Sequence, residues 1–566
     1  MRRLAAGVLL GVLLAPLLLA VAAYLYVAWW LERAPSVADG STLVLPLKGT
    51  IAERPSPGGL TTVEIWQVLH HAASDSRISR LVIQPDGPGA GWAKLAEIRG
   101  GILNFRKSGK PVHATLRTPG MRDYYLASAA NRISLPPSDL VDVKGLRVEL
   151  LYGRGLLDKL SILPEFEAVG KYKDGADALT RSSMSEVTRE TVNELLDARM
   201  AGFVEAVSSG RGKTAAEVRA WIDDGPVMAP DARKRGMIDA LEFESQTLGG
   251  ALGGALGGAL GGALGGALGE THRKTPRIDA QDYVRAARGS GARVAVLGLA
   301  GDIVRANWSW LSGEALTPEN YTSAIRALKD DESVRGVILR VDSPGGDAIA
   351  SDEILHELKQ LAAKKTLVVS MSDVAASGGY TISLAGGPIV AYPETVTGSI
   401  GVFFGKLSFQ GLYDKAGIRK EVLTRGKFAD IDSESRPLSS EAREKLKSTV
   451  EQSYRQFVEQ VAAARKRSPE AIDKVAQGRV WLGAKAKEHG LVDELGGIEK
   501  AIEILRREAR IVGPIRLDLY PKATQWQEWL QWFDKLWKAQ EQVRQMTWSQ
   551  TPALWKRAIR IPEALR

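Results

Sequence analysis

The sequence predicts an α/β layered fold, built twice in tandem behind an N-terminal transmembrane helix. Three observations lead there. Short β-rich apolar runs alternate with helical periodicity, a set of motifs recurs at an offset of about 255 residues, and the N-terminus carries a long uncharged apolar stretch.

The apolar stretch runs from Leu4 to Leu31 behind Arg2 and Arg3. A bilayer crossing needs about 20 such residues, so the segment is long enough to span with some tilt. Tyr24, Tyr26, Trp29 and Trp30 form an aromatic belt at its far end, and Ala20-Val-Ala22 only imitates a cleavage site because apolar residues continue past it. The expectation is an uncleaved signal anchor over residues 1–33. Its two arginines stay in the cytoplasm, and the rest of the chain lies outside it, in the periplasm of a Gram-negative cell.

The repeat is carried by several weak matches in the same order. Leu45-Pro-Leu-Lys-Gly49 corresponds to Leu297-Gly-Leu-Ala-Gly301, Arg80-Leu-Val-Ile83 to Gly336-Val-Ile-Leu339, and Pro88-Gly-Ala90 to Pro344-Gly-Gly346. Gly236-Met-Ile-Asp239 corresponds to Gly490-Leu-Val-Asp493. The expected organisation is a first repeat over 40–247, a Gly/Ala/Leu linker over 248–270, a second repeat over 278–513 and a Trp-rich tail over 514–566.

Within the second repeat, Val294–Leu297, Gly336–Val341, Thr366–Ser370 and Pro388–Ala391 read as buried parallel strands, with helices over Asn320–Lys329 and Ala348–Ala363. Two glycine-bearing motifs then fall at the carboxyl ends of strands, where open α/β sheets place ligands. One is Asp342-Ser-Pro-Gly-Gly346 and the other is Val374-Ala-Ala-Ser377-Gly-Gly-Tyr380. Either alone reads as an ordinary turn. Together they supply an alcohol and the backbone donors that a developing oxyanion needs, with the amides of Gly346 and Gly378 expected to form the hole.

Composition narrows the chemistry. With no cysteine, thiolate catalysis, disulfides and cysteine zinc sites are excluded. The six histidines include none in a setting that suggests a Ser-His-Asp triad, and lysine is the usual substitute base. The net charge of +9 is spread along the chain without a nucleic-acid motif, so no nucleic-acid partner is expected and a basic face toward anionic lipid is. In the first repeat, aligning Tyr125 with Tyr380 places Arg122 opposite Ser377, with Asp123 and Tyr124 in place of the two glycines. That half is expected to lack a nucleophile.

These residues resemble the signal peptide peptidase A (protease IV) family in its long, duplicated form. The resemblance covers nearly the whole chain, including Ser377-Gly-Gly-Tyr380 and Thr397-Gly-Ser-Ile-Gly401. It implies tandem Clp-protease/crotonase-like domains assembled as a bowl-shaped homotetramer on the membrane. It also implies a serine endopeptidase with a Ser/Lys dyad that degrades cleaved signal peptides and other short hydrophobic or unfolded peptides, with no cofactor and no metal. By the family's motifs, Ser377 is the nucleophile, Lys173 of Gly170-Lys-Tyr-Lys173 the general base, and Ser399 the residue that orients the lysine. Lys171, two residues away, and Lys427 in the similar context Gly426-Lys-Phe428 compete for the role of base.

Two other readings stand beside this one. A crotonase-like acyl-CoA enzyme shares the glycine turn, and a catalytically silent scaffold for membrane quality control would keep the fold alone. In the tail, Trp526, Trp529, Trp532, Phe533, Leu536 and Trp537 recur at helical spacing. That face suits either the bilayer surface or docking on protein.

Overall fold

The computed structural model describes residues 35–55, 59–249, 276–287, 289–305 and 315–522. The expected anchor over 1–33, nearly all of the linker and most of the Trp-rich tail lie outside the described residues. Among the described residues no helix is long and apolar enough to cross a membrane.

Each half builds its own sheet. The first has six parallel strands in the order Ala240–Leu241, Arg132–Leu135, Val112–Thr115, Ile78–Gly89, Ser41–Thr50 and Arg277–Asp279. The second runs Val480–Leu482, Val396–Gly398, Leu367–Ala376, Val334–Ser343, Ala292–Ala300 and Ile515–Tyr520. Ile389–Ala391 and Glu494–Leu495 branch from its middle. Only Val480–Leu482 pairs antiparallel in this sheet. The two sheets are closed on corresponding edges by short strands, Arg277–Asp279 and Ile515–Tyr520.

Strand alternation explains how the second sheet is covered. Leu297, Leu339, Val341, Val369 and Met371 point to one face, under the helices Pro318–Asp330 and Ala348–Lys364. Val294, Val296, Ile338, Val368 and Val390 point to the other, against the helix Ile498–Glu508 and Val63 of the first half. Such two-sided burial is why these strands read as continuous apolar runs.

Arg340 interrupts one of those runs. It is fully buried and faces the first half, where Glu53 takes its Nε at 3.0 Å and its Nη2 at 3.1 Å and Glu97 bonds the same Nη2. Ser370 accepts from Nη1 at 2.9 Å, and Ser372 also lies 3.2 Å from Nη2. Lys94 lies beside this group and bonds Asp342 at 2.7 Å and the Ile51 carbonyl at 3.1 Å. Asp373 accepts the amides of Gly91 and Lys94 at 2.6 and 2.9 Å. Three charged residues of the first half thus interlock with three of the second.

A second junction is a two-stranded antiparallel ribbon. Leu163–Val169 of the first half pairs with Val402–Ser408 of the second. The ribbon carries the chain into the loop that holds Lys173.

Removing one partner of a buried ion cluster leaves an uncompensated charge. Arg340→Leu is expected to lower unfolding free energy by about 3–5 kcal/mol, read as a shifted midpoint in denaturant titration of the detergent-solubilised chain. Arg326→Leu, which breaks an exposed pair with Glu357, should shift it by under about 1 kcal/mol.

Candidate active site

Ser377 sits where the strand Leu367–Ala376 ends and the helix Gly378–Ser383 begins. Its backbone has φ 54° and ψ −120°, a conformation that a residue with a Cβ adopts only under strain of about 1–3 kcal/mol. The amide of Ser377 donates to the Gly398 carbonyl at 2.9 Å, which ties the turn to the next strand. So sharp a turn leaves the hydroxyl at the tip of the sheet.

The other motif closes over it from the preceding strand. Gly345 and Gly346 have φ of 101° and 144°, and a Cβ at Gly346 would lie 2.1 Å from the Ile303 carbonyl oxygen. A Cβ at Gly378 would lie 2.4 Å from Ser351 Oγ and 3.3 Å from the Gly346 nitrogen. Only glycine fits either place. The amides of Gly346 and Gly378 are therefore neighbours, and neither has an acceptor among the described residues. Ser343 holds the turn, accepting from the Gly345 amide at 3.1 Å and donating to the Gly301 carbonyl at 2.7 Å.

Lys173 arrives from the first half. Its Nζ donates to Ser377 Oγ at 3.2 Å, to Ser399 Oγ at 3.0 Å and to the Ser399 carbonyl at 3.2 Å. Burial pushes the amine down to about 8, against a small opposing pull from Asp174. Ser399 has φ 51° and donates its amide to the Arg479 carbonyl at 2.8 Å.

The structure separates the three candidate lysines. Lys427 has a 63% exposed side chain and pairs with Glu441 at 3.2 Å. Lys171 is exposed, with its Nζ 5.3 Å from the centre of the Tyr172 ring. Among the described residues only Lys173 reaches the Ser377 hydroxyl, and no histidine bonds it.

The first half corrects one alignment. Tyr380 buries its ring and donates to the Leu491 carbonyl at 2.9 Å; the residue that does the same in the first half is Tyr124, to Met237 at 2.7 Å. Tyr125 instead meets Trp92 edge-on at 5.5 Å. The register therefore shifts by one, placing Met121 opposite Ser377 and Arg122 and Asp123 opposite the two glycines. Adjacent tyrosines gave the sequence no means of choosing, whereas the hydroxyl geometry does. Asp123 accepts the Gly87 and Gly120 amides at 2.8 and 3.0 Å, so the vestigial turn is stitched shut by its own side chain.

Sequence reasoning missed the segment that grips the lysine loop. Gln477 accepts the Tyr172 amide at 2.8 Å, and a Cβ at Gly478 would lie 2.6 Å from Lys173 Cβ. No motif announces this stretch; the only local signal is a glycine two residues before the strand Val480–Leu482.

Residues 104–251 and 359–512, more than half of the chain, match Peptidase family S49. The chain is 34% identical over 486 residues to the chloroplastic serine protease SPPA of Arabidopsis thaliana, covering 84% of this chain and 70% of that one. It is 33% identical over 495 residues to Protease 4 of Salmonella typhi, covering 81% and 77%. A solved structure of ClpP1 from Listeria monocytogenes matches 36% of this chain and 91% of its own at 18% identity with TM-score 0.23, too slight a likeness to argue from. The chain belongs to Peptidase family S49 and is a serine peptidase of the long SppA/Protease 4 type.

Proposed function

We propose that this peptidase is a membrane-anchored endopeptidase working through a Ser377/Lys173 dyad on cleaved signal peptides and other short hydrophobic or unfolded peptides. The observation that carries it is one amine, buried at the junction of the halves, within hydrogen-bond distance of both Ser377 and Ser399. The anchor over 1–33 would hold the catalytic halves on the periplasmic side of the inner membrane. The two parallel sheets, with a glycine turn at the carboxyl end of the second, support reading the fold as Clp-protease/crotonase-like.

In this reading neutral Lys173 accepts the Ser377 proton as Oγ attacks the scissile carbonyl. The Gly346 and Gly378 amides take the negative oxygen of the tetrahedral intermediate. The new ammonium then gives its proton to the leaving amine, and the C–N bond breaks to leave an ester on Ser377. Water, deprotonated by the same amine, attacks the ester; collapse releases the acid and returns the proton to Ser377. Ser399 orients the amine throughout.

The lowered lysine has two consequences. An ordinary lysine near 10.4 is neutral about once in a few thousand at pH 7, whereas one near 8 is neutral about once in ten. The unfolded chain binds more protons than the folded one between about 8 and 10.4, so stability carries a penalty that is full below 8 and fades as pH rises. At about 1.4 kcal/mol per unit this amounts to a few kcal/mol.

Purified chain is expected to cleave small peptide esters with kcat/KM rising through a midpoint near pH 8. Ser377→Ala and Lys173→Ala should each lower turnover at least about 10³-fold, and a serine-directed fluorophosphonate should label Ser377. Turnover surviving in Lys173→Ala would overturn the dyad and transfer the role of base to Lys171 or Lys427, whereas an unlabelled Ser377 would favour the silent scaffold. Lys173→Met should abolish turnover yet raise stability at pH 7, the gain shrinking toward pH 10 in denaturant titrations.

The duplication also supports assembly into a ring. By the repeat, residues 146–152 match Val402–Ser408, and 419–425 match Leu163–Val169, the two strands of the internal ribbon. Neither counterpart belongs to a helix or strand among the described residues, and both expose apolar side chains: Leu151 is 89% and Leu423 92% exposed. Such edges invite pairing. Joining 146–152 of one copy to 419–425 of the next repeats the internal junction head to tail, a contact that closes into a ring when its rotation allows; the family resemblance makes its number four. Leu151→Asp combined with Leu423→Asp is expected to reduce the solubilised assembly to single copies in sedimentation velocity. An unchanged mass would rule this junction out.

A further inference from the structure

The lysine loop of the first half and the Ser399 turn of the second share one neighbour, the backbone from Gln477 to Arg479. Tyr172 donates its amide to the Gln477 carbonyl, Ser399 donates its own to the Arg479 carbonyl, and Gly478 donates to the Ile400 carbonyl, each at 2.8 Å. Beyond it, Val480–Leu482 pairs antiparallel with Val396–Gly398. The separation of the amine from the two serine hydroxyls is thus set by how this segment seats against the first half.

The Arg479 side chain makes that seating. Its guanidinium lies between two rings, 4.7 Å from the centre of Tyr172 and 4.4 Å from that of Trp481. Nη1 donates to Tyr172 Oη at 3.0 Å, and Nη2 reaches both oxygens of Glu194 at 2.9 and 2.8 Å, with Glu190 at 3.5 Å. Glu190 and Glu194 belong to the first half's helix Glu186–Arg211. The guanidinium is 14% exposed, whereas the two carboxylates are about half exposed. Exposed carboxylates contribute little by themselves, so the planar cation held between the aromatic faces is the element that grips.

We propose that Arg479 is the positioning residue for the Lys173 amine, locking the first half's lysine loop and its helix onto the strand Val480–Leu482 beside the Ser399 turn. It touches no reacting atom and acts through Tyr172. The inference rests on the reading of Lys173 as the base, because its kinetic consequence appears through that residue. Lysine cannot replace arginine here, since a point ammonium has neither the fork for Tyr172 and Glu194 nor a face to stack.

The charges around the amine are few. Asp174 on its own loop is the charged group that acts on it. Glu190 and Glu194 face the loop from the helix and are taken up by Arg479, Lys171 points to the Tyr172 ring, and Asp473 is bonded by Gln477. Loosening the clamp therefore changes the hydration of the amine more than its charged neighbours. Water reaching Nζ moves it back toward the ordinary lysine range.

The test compares wild type, Arg479→Gln and Arg479→Lys in the assembled, solubilised protein. The titration of the Lys173 amine is read directly, as the pH dependence of its acetylation by limiting acetic anhydride and mass spectrometry of the peptide. Both variants are expected to raise its midpoint by about one pH unit and to lower kcat/KM at pH 7 about tenfold. The deficit should narrow above pH 9 with KM nearly constant, and Glu194→Gln should do less. If Arg479→Gln fails to assemble, Arg479→Lys carries the comparison. An acetylation midpoint that stays at the wild-type value overturns the proposal, as does activity lowered equally at every pH. A midpoint that rises while the kcat/KM profile stays put keeps Arg479 in its positioning role and refutes Lys173 as the base.

Discussion

The chemistry of this chain depends on a fixed junction between its two halves. In the proposed dyad the alcohol and the oxyanion donors come from the second half and the amine from the first, so a slip of an ångström between them breaks the 3.2 Å contact of Lys173 with Ser377. Apolar packing alone holds such a junction loosely, because it is non-directional. Arg340 supplies direction. Its guanidinium, with no exposure at all, bonds two carboxylates of the first half and two hydroxyls of its own sheet. An ion cluster of this kind gains little net stability over a well-packed apolar replacement, since desolvation offsets most of the attraction. What it gives here is a single register. Asp342 extends the same cluster to the glycine turn, bonding Lys94 on one side and the Val374 amide on the other at 3.0 Å.

Duplication explains why the junction can do this. Both halves keep the tyrosine whose hydroxyl reaches a core carbonyl, and both keep an arginine–aspartate pair near it, Arg211 with Asp239 and Arg465 with Asp493. Those contacts hold the scaffold and survive in each copy. The glycine turn survives in one only. In the first half the strand Ile78–Gly89 runs on through the matching residues, and Asp123 occupies the amides of Gly87 and Gly120. A half freed from nucleophile chemistry can lend its lysine loop to the other, which is the division of labour the proposed dyad would use.

How much of this was legible in the sequence follows from the range of each signal. The central strands of the second half were legible because burial on two faces makes them apolar throughout, and the glycine turns because only glycine meets their geometry. Ser377 and the amides of Gly346 and Gly378 could be placed together for that reason. Lys173 came through family resemblance; nothing local distinguishes it from Lys171 or Lys427, and the difference between them is burial created by the opposite half. Arg479 and Arg340 were invisible for the same cause, since each is defined by partners hundreds of residues away. The edge strands Arg277–Asp279 and Ile515–Tyr520 are short and partly charged, so their pairing shows only in the assembled sheet.

In the proposed dyad the Lys173 amine sits at a compromise. Complete burial in apolar surroundings would drive a lysine far lower and keep it neutral at pH 7, which suits the moment when it accepts a proton. Yet in the next instant it must exist as an ammonium beside the negative intermediate, and a dry pocket would penalise that state by the same amount. In that reading the Ser399 carbonyl and hydroxyl, which accept hydrogen bonds from the amine at 3.2 and 3.0 Å, would ease the conflict by favouring the charged state. A value near 8 reflects burial opposed by the neighbouring Asp174 carboxylate, close enough to neutral pH that a proton transfers readily in both directions.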